Sequence, residues 1–209
     1  MKKAVVLLSG GMDSAVTLFY AKKKGYKTYC LIFDYAQRHK KEISFAKKIA
    51  GISHSEYFVL KIKLPWKGSS LLDKKIPIPK DRILDSGKID IPPTYVPARN
   101  TIFISFALSF AEAIGAKVIF IGANEIDFSG YPDCRPRYFK KYNELLREAT
   151  KTKGIRIEAP LLNKTKKEIV CLGRKLDVPL GLTWSCYKGG KSPCNRCDAC
   201  RLRTKGFQK

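Results

Sequence analysis

Five apolar residues, Ala4 to Leu8, run straight into Ser9-Gly10-Gly11, and an apolar, helix-like segment restarts at once behind Met12, Asp13 and Ser14. With no Cβ atoms at the glycine pair, backbone N–H groups can converge in dihedrals closed to other residues. They join the unpaired N–H groups at the positive end of the following helix, where a small anion is the natural occupant. Ser9 and Ser14 add hydroxyl donors, and Asp13 can cap the helix or orient a magnesium ion among phosphates. A Walker loop requires G-x-x-x-x-G-K-[ST] and a dinucleotide fingerprint requires G-x-G-x-x-G; this turn is neither. On these residues alone the choice stays between a phosphate cradle and a tight, capped turn.

The same alternation continues along the chain. Strand-like segments at 3–8, 28–33, 56–60, 117–122 and 155–158 are separated by helix-like ones at 14–24, 38–50, 98–114, 136–150 and 166–176. This pattern predicts an α/β fold, a doubly wound, mostly parallel open sheet with helices on both faces. The helix at 98–114 is apolar nearly all round, from Ile102 and Phe103 to Phe110 and Ala111, and is expected to be deeply buried. Thr165 and Glu168 form a capping box for the helix at 166–176. Residues 61–96 carry five prolines and break the rhythm, with a short helix around 69–73, and read as a lid or binding loop. A polar loop covers 123–135, with Phe128 as a core anchor. From 179 onward Pro, Gly and Cys dominate, which divides the chain into an α/β domain, 1–178, and a small metal-held module, 179–209.

Apolar residues at 44% and charged residues at 28% exclude a disordered or fibrous chain. No window approaches the roughly 20 apolar residues of a membrane span, and the first apolar run is too short for a secretory signal. A cytoplasmic protein with no membrane partner is expected. The 41 basic against 18 acidic residues give a net charge of +23, which favours polyanions. Because lysine pairs are spread along the chain as solvated helix faces, the charge supports a nucleotide ligand and no stable nucleic-acid partner is expected.

An odd count of seven cysteines argues against a disulfide framework and for a metal. Cys186, Cys194, Cys197 and Cys200 offer four soft ligands in C-x7-C-x2-C-x2-C spacing, which suits a tetrahedral zinc ion with no open position for a catalytic water. Such a site is structural. The last three cysteines also match half of a bacterial ferredoxin pattern, and an iron–sulfur cluster is the alternative; its fourth cysteine position holds Thr204. Cys30, Cys134 and Cys171 read as packing residues.

Ser9-Gly10-Gly11-Met12-Asp13-Ser14, directly after the first strand, resembles the pyrophosphate-binding (PP) loop of the N-type ATP pyrophosphatases, which adenylate a substrate and release pyrophosphate. That resemblance implies ATP binding by Leu8, Ser9, Gly10, Gly11, Met12, Asp13, Ser14, Ala15 and Val16. Four further strings follow in order: Phe33 to His39 (FDYAQRH), Tyr95 to Asn100 (YVPARN), Ser129 to Arg135 (SGYPDCR) and Thr183 to Tyr187 (TWSCY). Together with the loop and the cysteines, from Leu8 to Cys200, they resemble the 7-cyano-7-deazaguanine synthase family. The resemblance implies a carbon–nitrogen ligase of queuosine biosynthesis. Its members use ATP and ammonia to convert 7-carboxy-7-deazaguanine to the nitrile through adenylated carboxylate and amide intermediates. It further implies Mg2+ at the phosphates, one zinc ion in the cysteine site and a homodimer. Two positions depart from the family pattern, Ala36 and Asn195, where glycine is usual. Asn tolerates a left-handed backbone; Ala36 puts such a backbone at its turn in doubt.

Candidate catalytic residues are Asp13, Arg38, His39 and Arg99. Arg38 and His39 lie just beyond the second strand, at the carboxyl edge where doubly wound sheets bind ligands. His39 can move a proton in the ammonia step, and Arg38 can hold a carboxylate or phosphate. Arg99 and Asn100 open the apolar helix after Pro97, with Asn100 a candidate cap; His54, outside any motif, reads as incidental. Candidate substrate residues are Tyr131, which can stack on a purine-like ring, Asp133, which can accept from its N–H edge, and Arg135. Two rivals stand beside this reading. One is a tRNA-modifying relative with the same loop, a thiolase or lysidine synthetase, and the other is a basic nucleic-acid-binding protein with a zinc knuckle. The organised loop favours the enzyme.

Overall fold

In the computed structural model, which describes residues 1–82, 91–124 and 130–208, the first apolar run forms strand β1 (Lys3–Leu7) and the segment after the glycine pair forms helix α1 (Met12–Lys23). There follow β2 (Lys27–Asp34), α2 (Lys41–Ile52), β3 (Glu56–Lys61), α3 (Arg99–Ile114), β4 (Val118–Ile121), α4 (Pro136–Ala149), β5 (Arg156–Glu158), α5 (Lys166–Lys175) and α6 (Asp198–Phe207). The sheet is parallel throughout, in the order β3-β2-β1-β4-β5. This is the doubly wound sheet the sequence predicts, with its order reversing between β1 and β4.

Alternation along β1 explains the two layers. Ala4 and Val6 pack with Ile32, Phe120 and the inner faces of α1, α2 and α5, whereas Val5 and Leu7 pack with Phe33, Ile121 and the inner faces of α3 and α4. Strands buried on both faces read as continuous apolar runs, and Thr28 to Phe33 of β2 are all buried. At the start of α5, Thr165 accepts from the Glu168 amide and Glu168 reaches back to Thr165, so the capping box is present.

Several expectations need correction. Helix α3 buries only Ile104, Ala107 and Ala111; Phe106 is exposed, because α3 packs on the sheet by one side and none of the described residues covers its other side. Phe110 meets Phe58 of the edge strand β3 at 5.0 Å between ring centroids, and Phe58 is itself exposed. Residues 69–73 form turns and no helix. They are held by the Arg38 amide on the Leu71 carbonyl, at 2.8 Å. Helix α6 was masked in the sequence by its cysteine-rich start, although Cys200 and Leu202 give it an inward face. Cys171 is exposed on α5 rather than packed, while Cys30 is buried, its thiol pushed up to about 12 by burial. Phe128 and Ser129 lie outside the described residues. Among the described residues no helix is long and apolar enough to cross a membrane.

Candidate active site

The glycine pair sits where β1 hands over to α1, at the carboxyl edge beside the point where the strand order reverses. Gly10 has φ +83°, and a Cβ there would lie 2.2 Å from the Glu42 carbonyl oxygen and 2.7 Å from the Ala46 nitrogen. The loop therefore lies flat on the first turns of α2, an approach only glycine permits. Ser9 and Ser14 tie it together: the Ser9 amide donates to the Ser14 Oγ at 3.2 Å, the hydroxyls lie 3.0 Å apart, and the Gly11 amide donates to the Ser9 Oγ at 3.2 Å. Gly11 is the N-cap residue of α1 and has no side chain to cap it, and the positive end of α1 is an electrostatic match for an anion.

A cavity of about 250 Å³ opens over this loop. Its lining includes Leu8, Ser9, Gly11, Met12, Asp13 and Ser14 from the loop. Gly10 lies beneath the loop as its support, and Ala15 and Val16 belong to the apolar core behind it. Asp13 does not cap α1. Its Oδ2 pairs with the Lys166 Nζ at 2.5 Å, and the Lys166 side chain is almost wholly buried. Lys166 escaped the sequence reading. The available signal was a lysine at the first position of α5, where the helix dipole disfavours a cation unless an anion meets it. Gly122, following β4, also escaped it, and a Cβ there would lie 2.8 Å from the Ser14 nitrogen.

Arg99, the first residue of α3, lines the same cavity. Its guanidinium donates to the Tyr35 hydroxyl at 3.0 Å. Burial works against its charge, but the hydroxyls of Tyr35, Tyr131 and Tyr187 and the Asp133 carboxylate outweigh burial and hold its pKa above the ordinary value. Tyr131 and Tyr187 line the same cavity, and burial pushes both phenols upward. A third cation, Arg203 of α6, lines the cavity as well; it donates to the Thr183 hydroxyl at 2.6 Å and the Leu180 carbonyl at 2.7 Å, and burial lowers its pKa. No sequence signal marked it, since its helix was not foreseen.

His39 lines the cavity, 3.1 Å from the Glu42 carboxylate through Nε2. Arg38 does not: its guanidinium donates to the Asp73 and Ile76 carbonyls, at 2.9 and 3.3 Å, and pins the loop after β3. Asp133 and Arg135 are likewise absent from the lining. The Asp133 carboxylate accepts from the Asn100 amide at 3.1 Å and so caps α3, and burial raises its pKa. Asn100 turns its own side chain back to the Asp133 carbonyl, at 3.0 Å, while Arg135 is the N-cap residue of α4.

Past residue 182 the chain returns to the loop. The Trp184 amide donates to the Gly10 carbonyl at 2.9 Å, and the Lys41 ammonium lies 4.1 Å over the Trp184 ring. Beyond it the sulfur atoms of Cys186, Cys194, Cys197 and Cys200 all lie within 4.8 Å of one another and can hold one metal ion. The amides of Cys194 and Cys197 donate to the Cys186 and Cys194 sulfurs, at 3.3 and 3.4 Å. The hydrogen bond with Cys200, above all, pushes the Cys197 thiol down to about 5 and favours a thiolate. Asn195 takes the left-handed backbone, φ +56°.

The sequence profile of the family described as queuosine biosynthesis protein QueC matches residues 3–209. The chain belongs to that family. A QueC relative, the 7-cyano-7-deazaguanine synthase of Picrophilus torridus, is 52% identical over 212 residues, covering all of this chain and 88% of its own. The 7-cyano-7-deazaguanine synthase of Trichodesmium erythraeum is 48% identical over 213 residues, covering 99% and 96%. Among solved structures, NMN synthetase from Francisella tularensis superposes with a TM-score of 0.52 over 91% of this chain and 68% of that one, at 19% identity, and shares the fold alone.

Proposed function

We propose that the chain is an ATP-dependent ligase that converts 7-carboxy-7-deazaguanine and ammonia to 7-cyano-7-deazaguanine. The observation that carries the reading is one cavity lined by the open N-terminus of α1 and by Lys166, Arg203 and Arg99. Such a constellation suits a triphosphate at one end and a carboxylate at the other. The names of the close relatives support the same reaction.

A carboxylate is a poor electrophile until its oxygen becomes a leaving group, which adenylation achieves. The catalyst's work is positional and electrostatic. The loop amides, the Ser9 and Ser14 hydroxyls and Lys166 neutralise the charge on departing pyrophosphate. Arg99, held by tyrosine hydroxyls, turns the substrate carboxylate toward the α-phosphate. Ammonia then displaces AMP to give the amide, with His39 taking a proton; a second adenylation, on the amide oxygen, and loss of AMP give the nitrile. Tyr131 offers a ring face for the deazapurine.

Asp13 is the loop carboxylate that would help hold Mg2+ with the phosphates, and the ion would supply further charge neutralisation there. Four thiolates with no open position fit a structural zinc ion, which would hold Trp184, Ser185, Tyr187 and Arg203 in the cavity wall. We read 179–209 as the module built on that ion, in a reducing, ATP-containing compartment, the cytoplasm. A homodimer would cover the exposed apolar face of α3 and β3, and no nucleic acid enters the reaction.

The test is to incubate the protein with ATP, magnesium, ammonium and the 7-carboxy compound and follow products by mass spectrometry. Nitrile, AMP and pyrophosphate are expected, passing through the amide. ATP hydrolysis with neither amide nor nitrile would refute the assignment.

A further inference from the structure

Beside the loop, four residues after β2 form a chain of hydrogen bonds whose direction is fixed from one end. The Gln37 Oε1 accepts from the Tyr35 backbone amide at 2.9 Å, so the other side of that carboxamide is the N–H side. Its Nε2 donates to the Phe33 carbonyl at 3.1 Å and to the Glu42 Oε1 at 3.1 Å. Glu42 is thereby an acceptor, and its other oxygen lies 3.1 Å from the His39 Nε2. In the neutral ring that nitrogen carries the hydrogen, and the lone pair then lies on Nδ1. Nδ1 is buried and has no hydrogen-bond partner among the described residues, on a ring that lines the cavity and is 3% exposed. Gln37 is 1% exposed, so water does not compete for the chain.

The geometry points to His39 Nδ1 as the base of the amide-forming step, and to Glu42 and Gln37 as positioning residues that fix its tautomer. This rests on the ligase reading above. As the ammonia nitrogen bonds to the acyl carbon, one of its protons passes to Nδ1. The bond from that carbon to the AMP oxygen breaks, and the electron pair leaves with AMP. The imidazolium formed is held by the Glu42 carboxylate and releases its proton to solvent with the products. A relay of this kind uses the second ring nitrogen only to orient the first. Among the described residues, the ionisable groups in contact with the ring are Glu42 from α2 and Tyr187 from the cysteine segment, whose ring centroid is 5.7 Å away. Neighbouring cations are engaged elsewhere: Arg38 on loop carbonyls, Lys40 on Asp34, and Lys41 on the Lys191 carbonyl.

The chain has two histidines, so a nitrogen-15 histidine spectrum is simple, and His54→Asn assigns it by removing the exposed one. The unmodified protein is expected to show His39 protonated on Nε2, with that preference lost in Glu42→Gln; an Nδ1–H signal in the unmodified protein overturns the relay. Amide formation is then read as a ratio to acid-driven ATP–pyrophosphate exchange measured without ammonia. Glu42→Gln is expected to lower this ratio about tenfold and His39→Ala about 10²-fold, the latter recovering with imidazole added to the buffer. A ratio unchanged in both variants sinks the proposal. Absence of exchange in the unmodified protein instead refutes the ligase reading, and the spectrum still decides the tautomer.

Discussion

At the loop end of the cavity, residues 8–14 are contiguous and Ser9, Gly11 and Ser14 bond to one another within the segment, whereas at the Arg99 end the groups come from four distant places. Tyr35 follows β2, Arg99 opens α3, Tyr131 follows β4, and Tyr187 belongs to the cysteine segment; Tyr35 and Arg99 are 64 positions apart. The contiguous end is defined by backbone, since its donors are amides shaped by Gly10 and Gly11. The assembled end is defined by side chains and needs the whole fold to bring them together. Damage should therefore follow different rules: backbone clash at the first, lost charge and hydrogen bonding at the second.

The cysteine segment contributes to both ends, Trp184 bonding to Gly10 and Tyr187 facing Arg99, so striking it should erase the contrast. Cys197→Ser is expected to lose the bound metal by elemental analysis. It should also lose on the order of 5 kcal/mol or more in denaturant unfolding, because a structural metal's binding energy is folding energy. Retention of ATP binding without metal would show that the loop end stands alone.

Gly10→Ala strikes the loop end only. The added methyl would meet backbone atoms at 2.2 and 2.7 Å, and helix α2 cannot yield to it as a flexible side chain would. A loss of about 3 kcal/mol or more is expected, combining overpacking with left-handed strain, and calorimetry should find no ATP binding. Gly25→Ala separates the two causes: φ there is +81° with nothing within 4 Å. Strain alone should cost about 1 kcal/mol, and equal losses at the two glycines would dismiss the clash.

Arg99→Met strikes the other end. It removes the cation that would meet the substrate carboxylate, and kcat/KM for the acid in pyrophosphate exchange should fall roughly 10²-fold, the equivalent of about 3 kcal/mol. ATP affinity should change far less, since the loop is untouched. If ATP binding weakened as much as acid use, the division of the cavity into two ends would be wrong.

The same contrast explains what could be read beforehand. The phosphate loop was legible because seven consecutive residues contain it, and the sheet because β1 and β2 announce themselves as unbroken apolar runs. The four cysteines were legible by spacing. Lys166 and Arg203 were not: each acts across a distance that only the packing of α5 and α6 on the loop creates, 153 positions in the case of Lys166 and Asp13. Asp133 and Arg38 are candidates that the structure places outside the cavity lining, for a related reason. A buried charge after a strand can serve a ligand or the protein's own backbone, and here Asp133 caps α3 while Arg38 holds loop carbonyls. The all-apolar surface of α3 implied enclosure, and among the described residues its outer face is open.

The smallest effect lies at the turn that feeds the histidine. Ala36 adopts φ +61°, so the left-handed backbone that its side chain made doubtful is present. The Asp34 carboxylate, accepting from the Ala36 amide at 3.2 Å, and Gln37, bonding to the Tyr35 amide, together hold the turn against that strain. Alanine in this conformation costs roughly 1–2 kcal/mol, and glycine would remove the cost but loses about 0.4–1 kcal/mol by loosening the unfolded chain. The first term is the larger, so Ala36→Gly should stabilise the protein by about 0.5–1 kcal/mol in urea unfolding. Asn195, whose side chain suits the left-handed region, should gain no more than a few tenths of a kcal/mol from the same change. A destabilised Ala36→Gly would mean that the methyl group packs against something worth more than the strain, and that the turn relies on that contact to hold Gln37 and, through it, His39.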